Sequence, residues 1–295
     1  MTCTADRDQT GRNPSGNSEE RHAPQIADAE PGRSEFKPSP GRETAAIYPS
    51  LRSRRVVVTG GGSGIGAALV EAFTYQGAEV IFIDVNRDLS ASLVNKLGKA
   101  SATPPRHLHC DLTDILALKD AFHDIEKSAG PVDVLINNAG SDDRHRLEDL
   151  TPAYWDNRIN INLRHMLFAA QAVAPGMKSN GGGAIINFGS SSWHLGLSDL
   201  LVYETAKAGI EGMTRALARE LGAANIRVNC VIPGNVKTPR QSNWYTVRDE
   251  EEIVEEQCLK ERILPEHVAS LVLFLASHDA RMCTGHGYWI DAGWR

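Results

Sequence analysis

The sequence predicts an α/β fold in which a doubly wound parallel sheet of about seven strands carries helices on both faces. From Arg55 onward, short apolar runs rich in β-branched residues alternate with helical patterns, and this alternation is typical of parallel strands joined by helical crossovers. Polar or glycine-rich loops follow the runs, as expected where ligands bind beyond the carboxyl ends of such strands. The predicted strands are Val56–Thr59, Val80–Asp84, His107–Asp111, Val132–Asn137, Ala184–Phe188, Ile226–Val231 and Tyr288–Asp291.

The first strand runs into a glycine-rich loop at the start of a helical pattern. The loop contains Gly60, Ser63, Gly64, Ile65 and Gly66. Glycines let backbone N–H groups come close to a ligand, and a helix N-terminus favours negative charge, so the loop predicts a pyrophosphate site. A triphosphate loop would end in Gly-Lys-Ser/Thr, which is absent here. The alternative without function is a plain glycine turn.

The second predicted strand ends in a carboxylate, Asp84, about 20 residues past the glycines. At that place the carboxylate would accept hydrogen bonds from both hydroxyls of an adenosine ribose. It would also repel a 2′-phosphate, so the sequence favours NAD over NADP. Arg87 lies close by and could counter that repulsion, although an arginine at the start of a polar loop is also explained by solvation.

A phenol and an ammonium lie one helical turn apart in the helical pattern after the fifth strand, as Tyr203 and Lys207. At this spacing the two side chains share one face of a helix. The ammonium favours the phenolate and so brings the pKa of the tyrosine towards working pH. The pair predicts a proton-transfer device, but the same spacing also occurs on solvated helix surfaces.

Composition excludes several classes of function. A net charge of −6 without a basic stripe argues against nucleic-acid partners. The five cysteines are scattered, without a Cys-x-x-Cys pair, and the histidines show no zinc-ligand spacing, so we expect no disulfide framework and no metal site. This cysteine usage fits a reducing cytoplasm. No run of 18 apolar residues occurs, so no membrane span is expected.

The first 45 or so residues differ in composition from the rest. Residues 1–45 are rich in Pro, Gly, Ser and charged residues and show no apolar period, so the sequence predicts a disordered extension. They lack the apolar core of a secretory signal and carry too many acids for a transit peptide. A tail without function and a docking segment are the two alternatives. One catalytic domain is predicted over residues 46–295.

Six separated motifs, in this order and spacing, make the chain resemble the short-chain dehydrogenase/reductase family from about Leu51 to Arg295. The resemblance implies a single-domain Rossmann-type fold, a nicotinamide cofactor and a homotetramer. The motifs are the loop from Thr59 to Gly66, Asp111-Leu112, Asn137-Asn138-Ala-Gly140, Ser190, Tyr203/Lys207 and the run from Pro233 to Thr238.

The resemblance also implies roles for residues that spacing alone does not explain. Asp111 and Leu112 would border the adenine, Asn138 and Gly140 would support the cofactor, and Thr238, with Pro233 and Val236, would hold the nicotinamide. Helix capping remains an alternative for Asp111 and Thr238.

The family pattern also selects the remaining catalytic residues. It selects Ser190 from the three consecutive serines as the residue that orients the reacting oxygen. It selects Asn162 rather than Asn160 as the residue that holds a water connecting Lys207 to solvent. Tyr203 is the general base.

Segments near the expected substrate resemble those of sugar 1-dehydrogenases within the family, which implies oxidation of the anomeric carbon of an aldopentose, D-xylose first, to a lactone. These segments run from Asn138 to His145, from Ser192 to Gly196 and from Thr284 to Arg295. We expect a mobile lid over Gln241–Val254. Core packing is the alternative for Trp193. The candidate sugar-binding residues are Ser190, Trp193, His194, Tyr203, Asn235, Asp142 and Trp244.

Three rival functions remain. The first is the same reaction on L-arabinose or D-glucose, which the sequence does not separate from D-xylose. The second is an NADPH-dependent reductase of ketoacyl or alcohol substrates, against which Asp84 and the Trp193-His194 segment argue. The third is a catalytically silent dinucleotide sensor, which would be expected to lack part of the Ser/Tyr/Lys set that this chain has complete.

Overall fold

A seven-stranded parallel sheet forms the centre of the protein, and this confirms the predicted fold class. The computed structural model describes residues 46–101, 103–242 and 245–294. The strand order is β3-β2-β1-β4-β5-β6-β7, and every neighbouring pair is parallel. The strands are β1 (Arg55–Thr59), β2 (Glu79–Asp84), β3 (Arg106–His109), β4 (Val134–Asn137), β5 (Gly183–Phe188), β6 (Ile226–Pro233) and β7 (Gly287–Ile290).

Helices cover both faces of the sheet. Short 3₁₀ turns at Pro49–Leu51, Leu147–Asp149, Gly222–Ala224 and His278–Ala280 complete the connections. The helices are α1 (Gly64–Tyr75), α2 (Arg87–Gly98), α3 (Ile115–Ala129), α4 (Pro152–Ile159), α5 (His165–Ser179), α6 (Ser192–Leu195), α7 (Leu201–Leu221), α8 (Pro239–Ser242), α9 (Val247–Glu256) and α10 (Pro265–Ala276).

Alternation along each strand divides the core between the two faces. In β1, Val56 and Val58 pack with α1, α2 and α10 on one face, whereas Val57 packs with α3, α5 and α7 on the other. Successive strand side chains point to opposite faces, so a strand buried on both sides must be apolar throughout. The uninterrupted β-branched runs of the sequence have this physical cause.

The sheet reverses its direction of growth between β1 and β4, which are neighbours although two strands separate them in the sequence. At such a point the loops after the two strands diverge and leave a crevice beyond their carboxyl ends. The glycine loop follows β1 and the Asn138 segment follows β4, so both motifs face this crevice.

Two local features differ from the sequence-based expectations. The third strand ends at His109, so Asp111 lies in the following turn, where its Oδ1 accepts hydrogen bonds from the backbone N (2.9 Å) and Oγ (2.8 Å) of Thr113. The sequence from Trp155 to Met177 has the pattern of one continuous helix, but a π-helical turn over Asn160–Arg164 interrupts it. The extension 1–45 and its boundary with the catalytic domain lie outside the described residues and stay predictions.

In the parts of the chain that the structure describes, no helix is long and apolar enough to cross a membrane. Across the same residues, no cluster of three or more His, Cys, Asp or Glu side chains forms a candidate metal site. The cysteines at 110, 230, 258 and 283 are free thiols.

Candidate active site

A cavity of about 630 Å³ opens at the carboxyl ends of the strands, at the reversal point of the sheet. It brings together predicted site residues from seven separate segments of the sequence, as expected for motifs that follow parallel strands. The predicted site residues that line it are Gly60, Ser63, Gly64, Ile65, Gly66, Asp84, Asp111, Leu112, Asn138, Gly140, Asp142, Ser190, Tyr203, Lys207, Pro233, Asn235, Val236 and Thr238.

The backbone of the glycine loop disfavours any side chain at three of its positions, Gly60, Gly64 and Gly66. Gly60 and Gly64 have positive φ angles of 67° and 52°. A Cβ placed on Gly66 would lie 1.8 Å from the Gly60 carbonyl oxygen, so only glycine allows this approach. The N-terminus of α1 begins at Gly64 and lines the cavity. Backbone N–H groups and a helix N-terminus that face open space fit a pyrophosphate.

Asp84 lies at the end of β2 and is held by the glycine loop. Its Oδ2 accepts a hydrogen bond from the Gly62 backbone N at 2.8 Å, and its Oδ1 accepts one from the Asn86 backbone N at 2.8 Å. Because a carboxylate oxygen has more than one lone pair, each oxygen can still accept from a ribose hydroxyl. These two acceptor oxygens therefore fit the ribose hydroxyls at the adenosine end of a dinucleotide.

Asn138 connects the loops that follow β1 and β4. Its Nδ2 donates to the carbonyl oxygens of Thr59 and Gly60, both at 3.0 Å. The Thr59 hydroxyl in turn accepts from the backbone N of Asn138 at 3.1 Å. These bonds tie the two loops across the crevice, and the predicted role of Asn138 beside a cofactor stays a prediction.

Tyr203 and Lys207 lie one turn apart on α7 and both line the cavity. The Lys207 Nζ donates to the Phe188 carbonyl oxygen at 2.7 Å and lies 5.3 Å from the centre of the Tyr203 ring. Burial lowers the pKa of Lys207 to about 8, and the nearby Cys230 and Asp142 oppose this. A buried lysine with a lowered pKa can exchange its proton near neutral pH.

Burial also raises the pKa of Tyr203 above its ordinary value. The Asp142 carboxylate acts in the same direction, whereas the hydrogen bond with Ser190 and the charge of Arg240 lower the pKa. We expected Lys207 to bring this pKa down. The effect of burial outweighs the hydrogen bond and the charge that lower the pKa, so the net shift of the Tyr203 pKa is upward.

Ser190 lies between the β5 strand end and α6. Its Oγ is 2.9 Å from the Ser192 Oγ and accepts a hydrogen bond from the Ser192 backbone N at 3.2 Å. Because it also bonds Tyr203, Ser190 is the one serine of the three that acts directly on the phenol. The family spacing had selected the same residue.

Asn162 is fully buried in the π-helical turn and does not itself line the cavity. Its Oδ1 accepts from the Ser141 backbone N at 2.8 Å, and its Nδ2 donates to the carbonyl oxygens of Ser141 and Arg158, both at 3.0 Å. The side chain thus fixes the loop after β4 to the helix beside Lys207. In the same turn of the chain, burial lowers the pKa of His165 to about 4, so this imidazole is neutral at physiological pH.

The expected sugar contacts of Trp193 and His194 are not supported by their placement. The Trp193 Nε1 bonds Glu211 Oε1 on α7 at 2.7 Å, and the His194 Nε2 lies 2.9 Å from the same oxygen. The two rings stack with centroids 3.6 Å apart, and neither side chain lines the cavity. Because α6 is helical, its side chains turn away from the direction of Ser190. Trp244 lies outside the described residues.

Besides the predicted sugar-binding residue Asp142, the mouth of the cavity carries charged residues to which the sequence assigned no role. On α8, Arg240 Nη2 lies 2.9 Å from Asp143 Oδ1, 3.1 Å from Asp142 Oδ1 and 3.1 Å from Ser141 Oγ. Arg158 of α4 also bonds Asp143. Arg240 follows the Thr238 motif by two positions, and this proximity is the only sequence signal that could have found it.

Comparison with known proteins was made against families, curated sequences and solved structures. A family model described as enoyl-(acyl carrier protein) reductase matches residues 60–295. The chain is 66% identical over 252 residues to D-xylose 1-dehydrogenase of Caulobacter vibrioides (strain NA1000 / CB15N), with 85% of this chain and 100% of the relative covered. It is 44% identical over 247 residues to a probable galactose dehydrogenase, GalD, of Rhizobium meliloti (strain 1021), covering 83% and 96%.

Among solved structures, the L-sorbose reductase of Gluconobacter frateurii, in complex with NADPH and L-sorbose, superposes with a TM-score of 0.79. The two chains are 25% identical, and the match covers 84% of this chain and 98% of the reductase.

Proposed function

The chain belongs to the short-chain dehydrogenase/reductase family and is an oxidoreductase acting on CH–OH groups with a nicotinamide dinucleotide, and from this premise we propose that it oxidises the anomeric carbon of D-xylose to a lactone. One observation carries the proposal. The candidate base Tyr203 shares a single cavity with the glycine loop, so a proton acceptor faces the place of the cofactor. The similarity to D-xylose 1-dehydrogenase supports the choice of substrate.

We propose NAD as the preferred cofactor. The Asp84 carboxylate stands at the expected ribose position, where it would accept from the 2′-hydroxyl and repel a 2′-phosphate. Arg87, the first residue of α2, is a cation close to Asp84 in the sequence that could weaken this preference. Steady-state kinetics with NAD and NADP test the proposal, and equal kcat/KM for the two would contradict it.

In this mechanism Tyr203 acts as the base. Its Oη, as phenolate, takes the proton of the C1 hydroxyl, and the Ser190 Oγ holds the reacting oxygen in place. Lys207 stays fixed by the Phe188 carbonyl and exchanges protons beside the phenol. The oxidised nicotinamide, when bound, accepts the hydride from C1. General-base assistance of this kind is typically worth about 10² to 10⁴ in rate.

Asn162 supports the path by which Tyr203 and Lys207 return the proton to solvent. We propose, from the family resemblance, that it holds a water next to Lys207. Its amide groups already bond Ser141 and Arg158, so it also keeps the Gly140 backbone close to the lysine. The role is therefore one of positioning, because Asn162 touches neither substrate nor cofactor in the proposed arrangement.

The decisive experiment is an initial-rate panel of aldoses with the purified full chain. D-xylose should give the highest kcat/KM, with D-galactose, L-arabinose and D-glucose as competitors and a ketoacyl ester with NADPH as the reductase control. Product analysis should find a lactone that hydrolyses to the aldonic acid. Faster turnover of the ketoacyl ester than of every sugar would contradict the proposal.

We further propose a homotetramer located in the cytoplasm. Large apolar side chains on α4, α5 and α7 are exposed, namely Trp155, Leu167 and Leu201, and packing between subunits would cover them. The free thiols at 110, 230, 258 and 283 support a reducing compartment. A monomer found by light scattering at micromolar concentration would contradict the tetramer, and fractionation of the source cells tests the location.

A further inference from the structure

Three side chains form a hydrogen-bonded chain that ends at the substrate end of the cavity. Arg262 is almost buried, with 10% of its side chain exposed, and its Nη2 donates to Asn235 Oδ1 at 2.8 Å. The Asn235 Nδ2 donates to Tyr245 Oη at 3.0 Å. Asn235 and Tyr245 line the cavity. The chain therefore connects a buried cation to a phenol that faces the site.

The donor and acceptor groups of these three side chains fix the direction of each hydrogen bond between them. A guanidinium has donors and no acceptor, so the atom of Asn235 that meets Arg262 must be the amide oxygen. The amide nitrogen must then face Tyr245, whose oxygen accepts the hydrogen bond. Turning the amide over would set two donors against each other at the Arg262 end, which a guanidinium cannot relieve. The phenolic O–H of Tyr245 consequently points to another partner, and within the described residues no acceptor for it is found.

Ion pairs and backbone hydrogen bonds surround the Arg262 end of these three hydrogen-bonded side chains. Arg262 Nη1 lies 3.5 Å from Glu250 Oε2, and Lys237 Nζ lies 3.3 Å from the same oxygen. The backbone beside Asn235 is anchored as well, since Gly234 N donates to Ile290 O at 3.0 Å and Lys237 N donates to Ile263 O at 2.8 Å. Asn235 is thus held by its backbone and by Arg262 Nη2, whereas Arg262 Nε and Nη1 are buried without a hydrogen-bond partner among the described residues.

We propose that Tyr245 is a substrate-binding residue that donates its hydroxyl proton to a hydroxyl oxygen of the sugar, and that Asn235 and Arg262 are positioning residues that set this polarity. The inference rests on the proposed sugar oxidation and deepens it. It also reassigns Asn235, which the sequence suggested as a direct sugar contact. Its Oδ1 accepts from Arg262 and one of its two amide protons is donated to Tyr245, and through this bond Asn235 acts on the sugar in the proposed arrangement.

The first test compares the full-length wild type with Tyr245→Phe. Loss of one hydrogen bond to substrate should raise KM for D-xylose about threefold to tenfold. The affinity for NADH, measured by fluorescence titration, should stay unchanged. With D-xylose analogues that each lack one hydroxyl, the penalty should vanish for one analogue, the one that lacks the bonded hydroxyl. Tyr48→Phe, remote from the cavity, is the matched control and should leave all values unchanged.

The second test reverses the direction of the hydrogen bond between residue 235 and Tyr245. In Asn235→Asp, both carboxylate oxygens are acceptors, so Asp would accept from Arg262 and also from the Tyr245 hydroxyl. The sugar would lose its donor, and KM should rise as in Tyr245→Phe. The double variant should be little worse than either single variant, because both remove the same bond.

Two results would overturn the inference. One is a Tyr245→Phe enzyme with weakened NADH binding, which would place the phenol at the cofactor. The other is an equal penalty across every deoxy analogue, which would indicate a merely structural role. If the wild type oxidised another aldose instead of D-xylose, the proposed substrate would fail, and the same comparison on that aldose would still decide the role of Tyr245. If the wild type oxidised no sugar, both the proposed function and the proposed role of Tyr245 would be refuted.

Discussion

Lys207 and Tyr203 share one cavity wall, and burial moves their pKa values in opposite directions. Burial lowers the pKa of Lys207 to about 8 and raises that of Tyr203, so in both cases it disfavours the charged form. The phenolate needed for catalysis thus forms more readily as pH rises. The wild-type rate should therefore increase with pH through the alkaline range until Tyr203 is deprotonated.

Replacing Tyr203 by Phe should abolish turnover without abolishing binding. The ring keeps its packing, but the oxygen that takes the C1 proton is gone, so kcat should fall at least about 100-fold. Affinity for NADH should remain within about twofold of wild type by fluorescence titration, since phenylalanine keeps the ring that lines the cavity and only one hydroxyl is lost. A variant with near wild-type kcat, or one that keeps the alkaline rise in rate, would show that another group is the base.

Lys207→Met should reveal the buried charge through stability. Folded Lys207 loses its proton near pH 8, whereas in the unfolded chain it does so at its ordinary value of 10.5. Between these values the unfolded state binds more protons, so the wild type gains stability relative to the variant as pH rises from about 8 to about 10.5. Urea unfolding of both proteins across this range measures the difference. Exposed Lys178→Met is the control, and a difference that is flat with pH would refute the assignment.

Two short helices, α8 and α9, border the cavity mouth where the sequence predicted a lid. Arg240 ties α8 to Asp142 and Asp143 in the loop after β4. The Glu250 carboxylate of α9 forms ion pairs with Lys237 and Arg262. The segment is therefore anchored at both ends by charge, and its opening should depend on ionic strength.

Arg240→Gln should loosen this segment. The arginine is 44% exposed, so its ion pairs contribute about 1 kcal/mol or less, and KM for the sugar should rise only a few-fold. Because Arg240 also lowers the pKa of Tyr203, the rate profile should move to higher pH. Hydrogen exchange of residues 239–256 should become faster, and high salt should reduce the difference from wild type.

The control for Arg240 is Arg248→Gln, in the same segment. Arg248 is 85% exposed and pairs with Glu252 along α9, away from the cavity mouth. It should change neither KM nor the pH profile. Equal effects of the two substitutions would mean that Arg240 acts through general surface charge.

The sequence predicted those elements whose cause is local. The seven strands follow from apolar runs, and the loop Gly60 to Gly66 follows from glycines that the backbone requires. Features set by distant partners could not be predicted. Trp193 and His194 turn to Glu211, which lies 18 and 17 residues further along the chain, and Arg240 meets acids nearly 100 residues away. Such contacts depend on how elements pack, for which one sequence carries no signal.

At the scale of the whole molecule, one parallel sheet supplies both the core and the site. The described residues predicted to bind cofactor or act in catalysis, apart from Asn162 and the displaced Trp193 and His194, line the cavity at one edge of it, while two apolar clusters fill its faces. Within the described residues the first anchor of the chain is Ala46, whose carbonyl accepts a hydrogen bond from Gln76 Nε2 at 2.9 Å. All the interactions named for function and core therefore fall at or after this residue.

Deleting residues 1–45 should leave kcat, KM and the melting temperature nearly unchanged, because this segment is rich in Pro, Gly, Ser and charged residues and shows no apolar period with which to dock. The matched comparison is Leu51→Ala in the shortened chain. Leu51 is 1% exposed, and its truncation should cost about 2–5 kcal/mol of unfolding free energy. A large loss of activity or stability on deleting residues 1–45 would show that the extension docks on the catalytic domain.

The π-helical turn at Asn160–Arg164 has a consequence for how this chain tolerates insertions and deletions. A π turn holds one more residue than an α turn, and such turns commonly mark functional sites. Removing one residue there would let α4 and α5 join as an ordinary helix, with better backbone hydrogen bonding. The shortened helix would fold, yet Asn162 would rotate away from Ser141 and release the loop beside Lys207. We therefore expect a variant with one residue deleted from Asn160–Arg164 to stay folded by circular dichroism and to lose turnover, and full activity of that variant would contradict the role given to this turn.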